Sequence, residues 1–548
     1  MMHEERLIAS AFPSDPFAVD CSVRVQGPNA SRHSSMKIGM FYDGGMVWAW
    51  RLTPDQPGEW IWNTECESLG LINVTGTIEA SASSEDLDGS VIVDAERPTH
   101  LVYESGQPYT MVGLEADWLW AFGLVNGVDA LDSVVDALDA IGINHVLVQI
   151  FANYTNNSPL PELQAPRVSP TFLFPSGGTP WVSKGGGEYH YKTLDLDFWR
   201  NYDALLASFA KRGMVAHVMF FVGNKNVRWP DAESDADDVY WRYAMARLGA
   251  FPSILLDVSK EAGSANAHRN TDYFVNRMKF MRDMNAHKRI LTAHSGFDWD
   301  NSCGAAPELC DVMSAQVHPT GTGPISAIAP LYYSLLKDSV ASSTVPYLDI
   351  EFMYQYGPVD HCHFACCGSC TNSTSWSEDD GFDSMTPEES LNEMRRVMWD
   401  HYLAGTAGAA WYHNDMGWDI FDPEALSTTA SVMRSLRTLR DFWDAVSLRN
   451  FYPKESCVTA LSPPDAVVHC TAKTSGDTTI AVVIHVRTAN ATFVLIPVNN
   501  STNSSSSGFW LDPASFDSTQ VPFEGGPATV LRQPTTFLED AVLFLEFV

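Results

Sequence analysis

The chain is short of positive charge. It carries 34 Lys and Arg against 67 Asp and Glu, a formal net charge of −33. It also lacks any dense Lys/Arg cluster, and together these exclude nucleic acid and anionic membrane surfaces as natural partners. No apolar run is long enough to span a bilayer. The first residues, Met1-Met2-His3-Glu4-Glu5-Arg6, have neither the basic start nor the apolar core of a secretory leader, so a leader is absent from this sequence. No Gly-rich phosphate turn follows the first apolar strand candidate, which argues against an open dinucleotide-binding sheet. What remains is a globular composition, 45% hydrophobic and only 18% charged. A length of 548 residues implies two to four domains.

Two features point outside the cell all the same. The ten cysteines are even in number and fall into local groups. These are Cys21 with Cys66, Cys303 with Cys310, Cys457 with Cys470, and the cluster Cys362, Cys366, Cys367 and Cys370. The cluster lies in His361-Cys362-His363-Phe364-Ala365-Cys366-Cys367-Gly368-Ser369-Cys370. Its thiols and imidazoles have ligand-like spacing, but a loop stapled by two disulfides is the favoured reading. No metal is therefore assigned. Asn-x-Ser/Thr sequons stand at Asn29, Asn73, Asn153, Asn156, Asn372, Asn490, Asn499, Asn500 and Asn503.

Three regions follow one another. Residues 1–98 contain short alternating runs, such as Lys37–Tyr42 and Met46–Leu52, broken by turn signals at Asp43-Gly44-Gly45 and Pro54–Gly58. This predicts a small β-sandwich whose tryptophans (Trp48, Trp50, Trp60, Trp62) fill its core rather than bind a ligand. Residues 99–446 alternate strand-like and helix-like segments. Eight strand candidates appear: Tyr109–Leu114, Asn144–Ile150, Met214–Phe221, Ser253–Val258, Arg289–Ala293, Asp311–Gln316, Pro346–Ile350 and Gly408–Tyr412. Most are near-continuous apolar runs, as parallel strands covered on both faces require. Helical periodicity marks Asp197–Arg212 with Gly213 as its stop, Asp237–Leu248, Tyr273–Met284, Pro387–Leu403 and Leu426–Phe442. Eight such units predict an α/β chain folded as a (β/α)₈ TIM barrel. Residues 447–548 return to β character and predict a C-terminal β-sandwich, with Thr479–Val486 and Thr492–Pro497 as a hairpin.

In a barrel of this kind chemistry gathers at the C-terminal strand ends. Here those ends carry Glu115, Asp117, Trp118 and Trp120 after the first strand and Gln149 on the second. Asn224, Lys260, His294, His318, Trp411, His413 and Asp415 follow later strands. A rim so rich in hydrogen-bonding side chains suits a polyol. Two glutamates, Glu261 after the fourth strand and Glu351 after the seventh, are placed to converge across the mouth. A facing carboxylate pair is the equipment for glycosidic cleavage: about 5–5.5 Å apart for retention, about 6.5–9.5 Å for inversion.

The string Phe41-Tyr42-Asp43-Gly44-Gly45, with Arg51-Leu52-Thr53-Pro54 and Pro57-Gly58-Glu59-Trp60, resembles the N-terminal β-sandwich that precedes many apiosidase-like barrel hydrolases. Asp117-Trp118-Leu119-Trp120 is similar to the Asp-x-x-Trp segment after the first strand of those proteins. Glutamates after strands four and seven resemble the large clan of retaining barrel glycosidases. The resemblance implies Glu261 as proton donor and Glu351 as nucleophile. It also implies a nucleophile contact at His318, a sugar platform at Trp411 and no cofactor. Where the clan has Asn before the proton donor, this chain has Lys260, which is expected to turn away or pair with an acid. A non-catalytic sugar-binding protein on a degenerate barrel is one alternative. A metal-dependent hydrolase using the His361–Cys370 loop is the other.

Overall fold

The structure is a computed structural model. It describes the chain apart from residues 1, 30, 32–33, 83–87, 152–177, 186–187, 224–226, 262–268, 295–301, 318–324, 351–386, 413–420, 424–429, 455–456, 464–466, 476–477, 488–490, 496–505, 514–516, 524–529, 535–536, 538–539 and 548.

All eight expected strands form: β1 (Met111–Glu115), β2 (His145–Gln149), β3 (Val215–Met219), β4 (Ile254–Asp257), β5 (Leu291–Thr292), β6 (Met313–Ala315), β7 (Tyr347–Ile350) and β8 (Gly408–Tyr412). They are parallel and ordered β5-β4-β3-β2-β1-β8-β7-β6, the order of a (β/α)₈ barrel. The seam between β5 and β6 is bridged by other bonds. Asp311 N donates to Leu291 O at 2.9 Å, and Thr292 Oγ1 donates to Val312 O at 2.9 Å.

The helices between strands form where the periodicity places them. Leu196–Lys211 buries Phe198, Trp199, Tyr202, Leu205, Leu206 and Phe209 on one face. The Asp195 side chain caps it, accepting from Asp197 N and Phe198 N at 3.0 and 3.2 Å. Gly213, at φ +67°, ends it in the left-handed conformation that glycine adopts without a Cβ clash.

Alternate residues of the strands face the barrel axis. Met111, Leu147, Val215, Leu255, Val312 and Leu348 share an apolar floor with Leu101 and Tyr109. Val91, Val93 and Tyr103 pack beneath it. These come from a ribbon of Val91–Val93 paired with Leu101–Tyr103, which lies against the N-terminal end of the barrel. The 98/99 boundary expected from sequence falls inside this ribbon.

The N-terminal region is two antiparallel sheets sharing one core. One sheet runs His3–Ile8, Val47–Leu52, Phe41–Tyr42; the other runs Ser35–Gly39, Ser22–Gln26, Gly58–Cys66, Leu71–Ala80. The run read as Lys37–Tyr42 crosses between the sheets at Met40. Trp48, Trp50, Trp60 and Trp62 are all buried in that core, with Trp50 and Trp62 edge to face at 5.5 Å.

The quoted N-terminal string is largely a docking surface. Arg51 grips Asp203 with both terminal nitrogens at 2.8 and 2.7 Å and donates to Arg247 O. Arg247 reaches Asp203 at 2.7 Å and Asp43 at 3.2 Å. Thr53 Oγ1 donates to Ala250 O. Asp203 thus bridges two buried guanidinium groups, with Glu4 also on Arg51 and Asp43 on Arg247. Asp203→Ala is expected to lower stability by about 3 kcal/mol, since it removes the carboxylate that both buried guanidinium groups share and leaves them only Glu4 and Asp43. Denaturant melts of the parent and variant check this.

The C-terminal region also has two sheets around one core. A six-stranded sheet runs Tyr452–Pro453, Val468–Ser475, Thr478–Val486, Ala541–Phe547, Ser506–Leu511, Ser518–Phe523. A three-stranded one runs Val458–Ser462, Thr492–Leu495, Val530–Arg532. The expected hairpin of Thr479–Val486 with Thr492–Pro497 does not form. The first strand pairs with Val468–Ser475 and Ala541–Phe547, and the second crosses to the other sheet. Apolar alternation shows that both segments are strands, but not which sheet takes each.

This region meets the barrel through a buried ionic cluster. Asp400, on the helix Pro387–Leu403, accepts from His469 Nδ1 at 2.7 Å and His485 Nδ1 at 3.0 Å, and it pairs with Arg487. His485 Nε2 bonds Asp540 at 3.0 Å, and Asp540 also pairs with Arg395. Disulfides join Cys21 to Cys66, Cys303 to Cys310 and Cys457 to Cys470. Cys362, Cys366, Cys367 and Cys370 lie outside the described residues.

Candidate active site

The C-terminal ends of β1, β2 and β4 converge on a buried polar cluster. Glu115 closes β1 and faces the axis in register with the apolar floor residues. Asp117, two residues on, is fully buried as well. Lys260 lies three residues beyond β4. Its backbone N donates to Phe221 O at 2.9 Å, which continues the pairing with the chain after β3. Its side chain crosses the mouth to the opposite strands. Lys260 Nζ pairs with Glu115 Oε1 and stands 3.6 Å from Asp117 Oδ2. Gln149, closing β2, donates through Nε2 to Asp117 Oδ1. The ammonium is therefore sequestered by two acids, as a buried cation requires.

Glu261 is the next residue. It is partly exposed and has φ +51°, a left-handed conformation unusual for a residue with a Cβ. The turn carrying it is fixed from below by Asp257, the last residue of β4. Asp257 Oδ1 accepts from Ser259 N at 3.0 Å and from His294 N at 2.9 Å. His294 is fully buried at the end of β5.

The remaining sequence candidates divide. Trp118 is buried at the start of the helix Leu119–Asn126. Trp120 sits among core rings, 5.9 Å from Phe151 and 5.1 Å from Phe198. Trp411 pairs in the sheet with Leu114, while its neighbour Tyr412 pairs with Glu115. Trp411 therefore shares the outer face of the barrel wall with Leu114, and the platform expected of it does not fit this placement. One residue of alternation decides the face. Asp349, acidic inside β7, also points outward. It accepts from Val317 N at 2.9 Å and bonds Tyr332 OH and His401 Nε2 on the surrounding helices. It is a wall tie, whereas Asp257 faces the axis and bonds His217. Glu351, Asn224, His318, His413 and Asp415 lie outside the described residues.

Two histidines within the strands, His145 and His217, join the site residues that the rim pattern marks. An imidazole inside an apolar strand must have a partner, and that was the available signal. Among the described residues no group of three or more His, Cys, Asp or Glu side chains is arranged to hold a metal ion. Nor is any helix among them long and apolar enough to cross a membrane.

The fold and its polar mouth define a (β/α)₈-barrel protein with a flanking β region on each side. No family description matches the chain, and no curated protein matches its sequence. Solved structures do. A candidate glycoside hydrolase from Bacteroides vulgatus ATCC 8482 superposes with a TM-score of 0.71 at 16% identity, over 100% of this chain and 98% of that one. A glycoside hydrolase of family 5 from the same organism gives 0.55 at 14% identity, over 84% of this chain and 94% of that one. A third structure, described as a glycoside hydrolase, gives 0.54 at 12%, over 84% and 97%. At these identities the likeness is one of fold, and it spans all three regions in the first case.

Proposed function

We propose that the protein is a glycoside hydrolase that cleaves O-glycosidic bonds in a neutral oligo- or polysaccharide. Glu261 is the proton donor and Glu351 the nucleophile, in a retaining mechanism of the apiosidase-like type. The observation that carries this is the arrangement of strands. Glu261 stands on the turn after β4, and Glu351 is the first residue after Ile350, which ends β7. Both strands open on the same rim, where a fully buried polar cluster already lies. The fold neighbours, described as glycoside hydrolases, agree with it.

The chain's formal net charge of −33 favours an uncharged sugar over a uronic acid, whose carboxylate it would repel. Protonation and nucleophilic attack need no cofactor. The setting is extracellular: three disulfides are formed, and Asn29 and Asn73 are exposed sequons. A panel of neutral glycans and aryl glycosides tests the reading, with NMR of the first-formed anomer. Hydrolysis with retention that survives chelators supports it. A protein that binds sugars but cleaves none, with both glutamates in place, returns the reading to a binding protein.

A further inference from the structure

Below the mouth, four buried groups form one hydrogen-bonded series through the barrel. Tyr109 OH lies 3.0 Å from His145 Nδ1. His145 Nε2 lies 3.1 Å from His217 Nδ1. His217 Nε2 lies 2.9 Å from Asp257 Oδ2. The series climbs diagonally over β2, β3 and β4, each step two residues up from the registered partner. His145 pairs with Val215 and His217 with Leu255, so His217 and Asp257 each stand one inward position higher. Gly113 pairs in register with both His145 and Ala410, and a Cβ on it would stand 2.6 Å from that of Ala410.

Each ring nitrogen in the series has one partner, and that fixes the direction of donation. Asp257 Oδ1 already accepts two backbone N–H groups, which suits a carboxylate. His217 must then donate from Nε2, leaving its Nδ1 to accept. His145 donates to it from Nε2, and its own Nδ1 accepts from the Tyr109 hydroxyl. Burial holds His145 well below the usual imidazole range and Tyr109 well above the usual phenol range, so both are neutral.

The geometry points to Tyr109, His145, His217 and Asp257 as a single polarised chain with both imidazoles in the Nε2–H tautomer. Through it, Asp257 is the positioning residue for the turn that bears Lys260 and Glu261. Tyr109 anchors the foot of the chain against Tyr103 of the ribbon, ring centroids 5.1 Å apart. Asp257 holds the top in one rotamer, with Oδ1 turned to Ser259 N and His294 N. The kinetic consequence rests on the glycosidase reading; the chain itself does not.

Two measurements test it separately. The full-length protein labelled with ¹⁵N-histidine should show one ¹⁵N–¹⁵N coupling across a hydrogen bond. It should join a protonated-type Nε2 to an unprotonated-type Nδ1, because among the described residues only His145 and His217 share a proton. An Nδ1–H or doubly protonated form at either histidine overturns the polarity. Asp257→Ala should speed amide hydrogen exchange at Ser259 and His294 and lower kcat roughly 10²-fold with KM little changed. Asp257→Asn keeps an acceptor at Oδ1 and should preserve both the protection and most of kcat, while its amide group reverses both tautomers. Unchanged exchange in Asp257→Ala overturns the positioning role whether or not a substrate has been found. If the parent cleaves no glycoside, the glycosidase reading fails, and the coupling and exchange results still decide the chain.

Discussion

Glu351→Gln is expected to abolish turnover of every glycoside the parent cleaves, while its melting temperature stays close to the parent's. Glutamine keeps the shape but cannot form the glycosyl ester, so no leaving group is reactive enough to restore the first step. Glu261→Gln should behave differently. It removes proton transfer to the departing oxygen, an effect of about 10²–10⁴-fold on ordinary glycosides. Aryl glycosides with acidic phenols need little protonation, so their first step should survive and the glycosyl-enzyme should accumulate as a burst. Steady-state and burst kinetics on a leaving-group series separate the two glutamates. Equal activity of both variants and the parent would remove the assignment. Equal loss on all leaving groups would remove the division of roles.

The second large effect concerns stability. Asp400→Ala deletes the carboxylate that receives His469, His485 and Arg487 from the C-terminal region. Breaking a buried pair from one side typically costs about 3–5 kcal/mol, and here three donors are left without it. A pH dependence follows from the same cluster. Cationic partners hold Asp400 and Asp540 below the usual carboxylate range against the opposing pull of burial. Their contribution is present above about pH 4 and is lost as pH falls through the depressed values.

The histidines act in opposite senses. His469, stacked on Tyr333 at 3.8 Å, is lowered by burial and stays neutral, so stability rises with pH up to the ordinary imidazole value. His485 donates from both nitrogens to Asp400 and Asp540, which requires the imidazolium and raises its pKa despite burial. Its contribution is complete below about pH 6.5 and is lost as pH rises through the raised value. The junction should therefore be most stable near pH 6.5. Melts from pH 4 to 9 should show a maximum there that Asp400→Ala flattens.

Much of this molecule was legible before any coordinates. Parallel strands covered on both faces must be continuously apolar, so the eight runs stood out and were counted correctly. The helix Val128–Ala140, with Leu131, Val134, Val135 and Leu138 on its buried face, is equally readable from its apolar spacing. What sequence could not show was which way a residue faces at a strand end. Trp411 and Asp349 both sit in apolar runs near the rim, and one step of alternation turns each outward. Sheet membership was also hidden, as the crossing of Thr492–Leu495 shows, because pairing partners are chosen by tertiary packing. Lys260 was the exception among site residues. The cost of burying an ammonium alone demanded an acid, and Glu115 met the demand from 145 positions away.

The ribbon under the barrel sets where this chain can be cut. Leu101 and Tyr109 belong to the same apolar floor as the strands above them, and Val91, Val93 and Tyr103 seal it from below. Severing the chain at the 98/99 junction would leave one half of the ribbon on each fragment and open a greasy base to solvent, inviting self-association. A soluble single-domain version therefore has to begin upstream of Ser90, whose hydroxyl receives Arg289 and whose amide meets Glu104. It must also replace the charges that Arg51 and Asp43 bring to Asp203 and Arg247. Domain borrowing between related barrels has to exchange the ribbon and the helices facing Arg51 as one cassette.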